Sequence, residues 1–350
     1  MACTAVCQET GERPIIKKRM IRPEEKLNPK LFDTDVEMKP TRDGYGQGIV
    51  IAGEKDPNIV VLCADLTEST RADAFAKKFP ERFFEVGVAE QNLATIAAGL
   101  GVSGKIAFIS SYAAFSPGRN WEQIRTTIAY NGSNVKIAGH HAGISVGPDG
   151  ATHQAVEDIA TMRVMANMTV LVPCDAIEAK KATLAAAHMA GPVYIRFGRE
   201  KSPIITTEES PYSPGKAEVF WDSENPKVAI IACGQLVYQS LVAAKELEAE
   251  GINVIVVNNQ SIKPIDSVGI VGAVKRCGAV VTVEEHQVMG GMGSAVAELL
   301  AKELPVPIEF VGMQDVYGES GKPNELIEKY GMGVKDVKAA VKKAINRING

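Results

Sequence analysis

Short apolar runs alternate with longer amphipathic stretches along most of the chain. Strands that are buried on both faces read as continuous apolar runs, so this alternation predicts parallel sheets covered by helices. Up to residue 205 the predicted strands are Ile59–Cys63, Arg82–Val86, Ile106–Ser110, Val135–Gly139, Thr169–Val172 and Val193–Phe197. The predicted helices in the same part are Asp43–Glu54, Ala89–Leu100, Phe115–Tyr130, His153–Arg163 and Ala176–Ala190.

The same alternation restarts after Lys227 and continues to the end of the chain. Here the predicted strands are Val228–Ala232, Asn253–Val257, Ala279–Val283 and Ile308–Val311. The predicted helices are Val237–Glu250, Ser267–Arg276, Gly293–Glu303 and Val334–Ile348. We therefore expect two α/β domains, of which the second is the smaller.

The composition between the two alternating parts predicts a connection. Glu200 to Lys227 contains four prolines and several Ser and Thr residues, as is typical of an interdomain segment. We expect folded domains at 40–205 and 227–350, with a linker at 206–226. Residues 1–39 are charged and have no sustained apolar period, so we expect a leader that wraps over a neighbour or stays loose.

Composition and charge narrow the possible functions. The 350 residues are 45% hydrophobic and 23% charged, and 38 basic residues against 42 acidic ones give a net charge of −4. This balance implies no strongly basic surface, and we expect no nucleic-acid partner. The longest apolar runs are far shorter than the ~20 residues of a membrane-spanning helix. The N-terminus lacks a signal-peptide pattern and the six cysteines are dispersed, so we expect a cytoplasmic protein with reduced thiols.

The first candidate functional segment is a glycine-rich loop that follows the predicted strand 135–139. Three of the five histidines lie between His140 and His153, and parallel sheets bind ligands at the carboxyl ends of their strands. Two histidines could instead cap the strand while Asp149 forms a tight turn. His141, Asp149 and His153 are also metal-ligand types, but no pair of histidines has helical i, i+4 spacing.

Further polar and aromatic residues lie at the ends of predicted elements. Glu90 falls in the first turn of a predicted helix, where an acid stabilises the helix dipole, and this structural role is the better explanation of Glu90 alone. Tyr112 and Phe115 follow a strand and on their own would be core residues. Arginines at such ends can bind a phosphate, although any one of them taken alone is better explained as a solvated surface residue. The remaining candidates are Arg42, Ser69 and Arg199.

Taken together, these segments resemble the C-terminal section of transketolase. Gly87–Asn92 resembles the family's Ile/Val-Ala-Glu-Gln signature, and Gly143–Gln154 is similar to its substrate loop. Ala64-Asp-Leu-Thr followed by Ser69 is a third match, in the same order and spacing. The resemblance runs from about Pro40 to the end. It implies two doubly wound α/β domains: a thiamine diphosphate pyrimidine-binding domain, then a smaller transketolase C-terminal-like domain.

The resemblance also shows what this chain lacks. Transketolases bind Mg²⁺ and the cofactor diphosphate on another domain, through Gly-Asp-Gly and a downstream Asn. This chain has no Gly-Asp-Gly. The resemblance therefore implies a split transketolase, in which an N-terminal subunit supplies the diphosphate-binding domain and the Mg²⁺ ligands. We expect a heterotetramer, and no activity of this chain alone.

The resemblance assigns roles to the candidate residues. Glu90 would be the catalytic carboxylate bonded to the pyrimidine ring, Phe115 would stack on that ring, and Tyr112 would lie beside it. Asp149 and His153 would lie near the donor hydroxyls and the scissile bond. The resemblance therefore implies a catalytic role for His153. The sugar phosphate would be bound by Arg42, Ser69, His141 and Arg199.

Two parts of the chain receive no role from the family. Ser116-Pro117-Gly118 departs from the family pattern, so no role is carried over between Ser116 and Gln123. In the second domain no residue matches a catalytic position. We expect Glu284-Glu285-His286 and Gly290–Gly293 to serve the fold or the subunit contact.

The function implied is transfer of a two-carbon ketol unit from a ketose phosphate to an aldose phosphate, in the pentose phosphate pathway. Alternatives are a 1-deoxyxylulose-phosphate synthase, the beta chain of a 2-oxo-acid dehydrogenase and a non-catalytic regulatory subunit. The loop from Asp149 to His153 argues against the dehydrogenase. Asn92 and the spacing of Ser69 before Glu90 favour transketolase. The presence of Glu90 argues against a subunit that has lost catalysis.

Overall fold

The computed structural model describes residues 20–349. The strands are β1 (Met38–Pro40), β2 (Ile59–Cys63), β3 (Phe83–Glu85), β4 (Ile106–Tyr112), β5 (Val135–His140), β6 (Thr169–Leu171), β7 (Val193–Arg196), β8 (Lys201–Pro203), β9 (Glu218–Asp222), β10 (Val228–Ala232), β11 (Val254–Asn258), β12 (Ser261–Lys263), β13 (Ala279–Gln287) and β14 (Ile308–Met313). The α-helices are α1 (Thr41–Lys55), α2 (Asp73–Lys78), α3 (Glu90–Val102), α4 (Trp121–Gln123), α5 (Asp158–Arg163), α6 (Ala176–His188), α7 (Leu236–Ala249), α8 (Ser267–Val274), α9 (Met292–Glu303), α10 (Pro323–Lys329) and α11 (Val334–Asn349).

The first sheet has the order β12-β6-β7-β5-β4-β2-β3 and is parallel except for β12. Its central strands are fully buried because helices cover both faces. On one face, Tyr45 and Ile49 of α1 pack with Ala179 of α6. On the other face, Leu93 and Ala97 of α3 contribute to the core. The predicted parallel sheet with helices on both faces is confirmed.

The second sheet has the order β14-β13-β10-β11-β9, in which only β9 is antiparallel to its neighbour. β9 lies within residues 206–226, the segment expected as a linker. β12, which follows that segment in the chain, pairs with β6 of the first sheet. The second unit therefore contributes one strand to the first sheet, and the two units share one apolar cluster, in which Met162 and Val170 meet Ile262 and Met292.

The described part of the expected leader packs against the second unit. Ile21 forms an isolated antiparallel bridge to Trp221, and Leu27 and Leu31 are buried. The rings of Phe32 and Trp221 meet edge to face, with centroids 6.1 Å apart. Residues 20–36 are thus part of the folded body rather than loose. The first 19 residues of the leader lie outside the described residues.

Two predicted helices begin later than expected. The helix predicted at 115–130 covers only α4 and a wider π-helical turn, Ile124–Ala129. Before it the chain forms turns, where Pro117 has no amide hydrogen to donate to a helix. The helix predicted at 153–163 starts only at Asp158, because the backbone of Ala155 pairs with Ala142 and accepts from the amide of Gly143.

No helix within residues 20–349 has both the length and the apolar character needed to cross a membrane.

Candidate active site

The sequence-predicted site residues meet at the carboxyl edge of the first sheet. Neighbouring parallel strands β2, β4, β5 and β7 end side by side. Tyr112 is the last residue of β4, and the loops that follow β2, β5 and β7 carry Ser69, His141 and Arg199. α1 begins at the same edge and places Arg42 in its first turn. The edge of a parallel sheet thus brings together side chains from distant parts of the sequence.

Arg42 is the centre of a polar group at this edge. Its Nη1 donates to the carbonyl oxygen of Ser69 at 2.9 Å and to Nε2 of His141 at 3.0 Å. Its Nε is buried and has no hydrogen-bond partner among residues 20–349. Burial, and next the charge of Arg71, lower the pKa of Arg42. Because this buried N–H has no partner, Arg42 can donate it to an anion bound at this point.

His141 is neutral in this environment. Burial, followed by the charges of Arg42 and Arg199, lowers its pKa to about 3. Because Arg42 can only donate, Nε2 of His141 accepts and the proton lies on Nδ1. That Nδ1 is buried without a partner in the described part of the chain. His141 is therefore a neutral donor beside two arginines.

Arg199 forms an ion pair with Asp149 of the glycine-rich loop. Arg199 Nη1 donates to the carbonyl oxygen of Val146 at 2.7 Å and to Asp149 Oδ1 at 3.1 Å. Both side chains remain partly exposed. Arg199 therefore fixes the loop and at the same time adds positive charge near His141.

The sequence analysis missed Arg71, a third arginine near this group. Its Nε donates to Asp43 Oδ1 at 2.7 Å, and its charge acts on both Arg42 and His141. Arg71 follows Ser69 and Thr70 directly in the sequence, and this proximity to a predicted site residue could have identified it. Three arginines with one neutral histidine produce a field that favours an anion of high charge.

An aromatic group lies beside these polar residues. The rings of Tyr112 and His141 are stacked with centroids 3.9 Å apart, and Tyr112 and Phe115 are stacked at 5.8 Å. The ring of His153 meets Phe115 edge to face at 5.3 Å. The structure therefore brings Tyr112, Phe115, His141 and His153 together, as expected.

Glu90 is buried at the start of α3, with 4% of its side chain exposed. Its two carboxylate oxygens accept from Nη1 of Arg119 at 3.0 and 3.1 Å. The guanidinium carbon of Arg119 lies 4.0 Å from the centre of the Phe115 ring. Asn120 Nδ2 donates to the backbone carbonyl of Glu90 at 2.9 Å. Arg119 and Asn120 lie in the segment to which no role was carried over, so the sequence analysis missed both.

The second unit supports the glycine-rich loop. Glu285 Oε1 accepts from the amide of Ser145 at 2.6 Å. Gly143 has φ +88°, and a Cβ there would lie 2.4 Å from the Glu285 carboxyl group. Gln154 Nε2 donates to the carbonyl oxygens of Ile144 at 3.1 Å and Glu319 at 2.9 Å. Glu285 was expected to serve the fold or the subunit contact, and the structure shows that it contacts this loop.

The donor set at Glu90 fits an aromatic heterocycle and not a metal ion. A buried carboxylate next to an aromatic face can accept from a ring N–H that stacks on Phe115. Within residues 20–349 no three His, Cys, Asp or Glu side chains are grouped closely enough to bind a metal. These residues suit the aminopyrimidine ring of thiamine diphosphate.

Comparisons with known proteins agree with this geometry. Residues 37–204 match the family model of the transketolase pyrimidine binding domain, and residues 215–337 match that of the transketolase C-terminal domain. A Methanocaldococcus jannaschii protein that carries the name of a transketolase C-terminal section is 46% identical over 297 residues, which cover 84% of this chain and 92% of that protein.

Two further similarities involve subunits. A 6-deoxy-6-sulfo-D-fructose transketolase subunit from a Clostridium species is 37% identical over 318 residues, covering 91% of this chain and 98% of that protein. A solved structure described as a split gene transketolase, inactive beta4 tetramer, is 49% identical with a TM-score of 0.82, covering 88% of this chain and 99% of that one.

Proposed function

The chain belongs to the transketolase family, and we propose that it is the subunit of a split transketolase that supplies the pyrimidine-binding and C-terminal domains. It spans nearly the whole of the Clostridium subunit and of the split-gene chain. The observation that carries the proposal is the buried carboxylate of Glu90 beside the aromatic face of Phe115.

The proposed cofactor is thiamine diphosphate, which the family implies. When bound, it supplies a carbon nucleophile that its own amino group generates once the pyrimidine ring is in its imino form. Glu90 would hold a proton at the ring nitrogen and so favour that form. Phe115 would stack on the ring, and Tyr112 would complete the apolar wall next to it.

The proposed substrate is a sugar phosphate. Its phosphate would replace water with charge-assisted hydrogen bonds from Arg42 and Arg199 and with the Nδ1 proton of neutral His141. Ser69, whose carbonyl oxygen orients Arg42, lies at the same subsite. Asp149 and His153 would contact the donor hydroxyls, and His153 would act near the bond that breaks.

The proposed partner is an N-terminal subunit that carries the diphosphate-binding domain and the Mg²⁺ ligands. We propose a heterotetramer of two chains of each kind. The similar split-gene chain forms, by its description, an inactive tetramer of beta chains. This supports the proposal that the present chain also needs its partner for turnover.

The preferred sugar is a separate question within the same reaction class. The Clostridium relative is named for 6-deoxy-6-sulfo-D-fructose, so a split member of the family need not act on pentose phosphates. We propose phosphorylated sugars because the arginines and His141 form an anion site. Xylulose 5-phosphate is the first donor to test.

The decisive experiment mixes this chain with its partner, thiamine diphosphate and Mg²⁺. We expect ketol transfer from xylulose 5-phosphate to ribose 5-phosphate, and none when either chain is left out. Turnover only with pyruvate would contradict the proposal and indicate a 1-deoxyxylulose-phosphate synthase or a 2-oxo-acid dehydrogenase. A stable complex that converts no donor would favour a regulatory subunit.

A further inference from the structure

Arg119 makes two contacts that a cofactor ring would also need. Its Nη1 bonds to both carboxylate oxygens of Glu90, at 3.0 and 3.1 Å. Its guanidinium lies over the ring of Phe115, with the guanidinium carbon 4.0 Å from the ring centre. A planar group that donates to Glu90 while it stacks on Phe115 resembles an aminopyrimidine in shape and in hydrogen bonding.

The same carboxylate cannot serve both groups equally well. Nη1 of Arg119 bonds to both carboxylate oxygens of Glu90. The role proposed for Glu90 needs one of these oxygens to share a proton with a ring nitrogen instead. A guanidinium that stayed in place would therefore oppose the step for which Glu90 is needed.

The side chain of Arg119 reaches the surface. About half of it is exposed, whereas only 4% of the Glu90 side chain is. The guanidinium can therefore leave towards solvent, but the buried carboxylate then needs a new hydrogen-bond donor, which the cofactor ring would supply. The neighbouring Asn120 is buried and bonds to the backbone of Glu90 and to Ser116, so the local backbone can stay in place while Arg119 leaves.

We propose that Arg119 occupies the place of the aminopyrimidine ring in the free chain, and that it leaves Glu90 when the cofactor binds. This inference rests on the proposed function. The guanidinium of Arg119 then neutralises a buried carboxylate until the ring replaces it, and it competes with the ring for the same contacts.

The first test measures cofactor affinity in the assembled complex. Arg119→Met keeps the length of the side chain but removes its donors and its charge. We expect the Kd for thiamine diphosphate at saturating Mg²⁺, measured by calorimetry, to fall roughly tenfold. Arg125→Met is the matched control, since Arg125 is an exposed arginine in the π-helical turn after α4, and it should leave the Kd unchanged.

Several outcomes would overturn the inference. An unchanged or higher Kd for Arg119→Met would mean that Arg119 does not compete with the ring. If Arg119→Met fails to fold, as judged by thermal unfolding, Arg119→Lys replaces it, because lysine cannot stack as a planar group and should also lower the Kd. A wild-type complex that binds no thiamine diphosphate would instead contradict the proposed function itself.

The second test follows the side chain directly. With ¹⁵N-labelled arginine, the Nη signals of Arg119, assigned by their loss in Arg119→Lys, should show restricted rotation before the cofactor is added. Saturation with thiamine diphosphate should make the rotation fast, as should Glu90→Gln without cofactor. Restricted rotation in the saturated complex would show that Arg119 stays on Glu90, and the inference would be wrong.

Discussion

Glu90 and Glu284 differ in what their carboxylates bind, although both lie where a helix begins at the carboxyl edge of a parallel sheet. Glu284 is fully buried and accepts from the amides of Met292 and Gly293, the first two residues of α9, at 2.7 and 2.8 Å. Glu90 belongs to the first turn of α3, yet among the described residues its oxygens accept only from Arg119.

This difference separates an acid that the fold uses from the acid that we propose for the chemistry. An acid that binds the amides of a helix N-terminus fulfils the dipole role and has little capacity left for a ligand. Among the described residues Glu90 accepts from no amide of α3. Its partner is the side chain of Arg119, about half of which is exposed. Glu285, which also lies at the edge of the second sheet, likewise binds a backbone amide, that of Ser145. We therefore propose that the chemistry belongs to the first edge.

The largest effect should come from Glu90→Gln. In the complex with the partner subunit, we expect turnover to fall by about 10³-fold, because proton sharing with the ring is lost. The melting temperature should stay the same, since no helix amide depends on this carboxylate. Ketol-transfer rates and thermal unfolding check both parts. Near-normal turnover would contradict the assignment of Glu90.

A smaller effect is expected from Arg42→Ala at the anion subsite. Loss of a charge-assisted bond to the phosphate should raise the KM for the sugar phosphate, by an amount equivalent to about 2 kcal/mol. The kcat should change much less. A matched variant is Arg22→Ala, whose arginine pairs with Asp222 far from this edge. Equal effects of the two variants would refute the subsite.

Glu284→Gln tests the structural side of the comparison. The amide nitrogen of glutamine would face an N–H of α9, so we expect the free energy of unfolding to fall by about 1–3 kcal/mol. The folded fraction should keep its turnover. Urea unfolding and activity at low temperature measure the two quantities. Loss of turnover without loss of stability would place chemistry at the second edge and contradict the structural role of Glu284.

The smallest effect concerns pH and the neutral histidines of the first edge. Burial lowers the pKa of His140 well below 6.5 and that of His141 to about 3. Below pH 6.5 the unfolded chain therefore binds protons that the folded chain does not, and stability falls as the pH falls. Each histidine should contribute up to about 1.4 kcal/mol per pH unit.

His140→Phe isolates this contribution. Both ring nitrogens of His140 lack partners in the described residues, and its ring packs between Tyr45 and Phe197. Phenylalanine should keep that packing and reduce the slope of the unfolding free energy against pH between about pH 4 and 6, measured by urea titration. An unchanged slope would show that His140 is charged in the folded chain.

The sequence predicted those parts of the molecule that have a long local pattern. The bounds of β2 and β10 agree with the predicted strands, because five consecutive buried apolar residues form a clear signal. β1, β8 and β12 were missed because each has three residues, one of them a lysine, and no two adjacent apolar side chains. β3 and β6 are equally short, but each contains two adjacent apolar residues and both were predicted. The predicted site residues also came together, because loops at the ends of parallel strands meet at one edge.

The missed contacts lack a local pattern. The bond between Glu285 and Ser145 joins residues 140 positions apart, so nothing near either residue indicates it. Arg119 follows a Pro-Gly turn where apolar spacing predicted a continuous helix. Only the backbone path through that turn brings the guanidinium to Glu90.

The pairing of β12 with β6 of the first sheet limits where this polypeptide can be divided. If the gene were cut after residue 205, the first fragment would lose the strand that covers β6, and the amide of Val172 would lose its bond to the carbonyl oxygen of Gln260. An uncovered sheet edge recruits strands from other molecules. The two fragments would have to be produced together, and each would aggregate without the other.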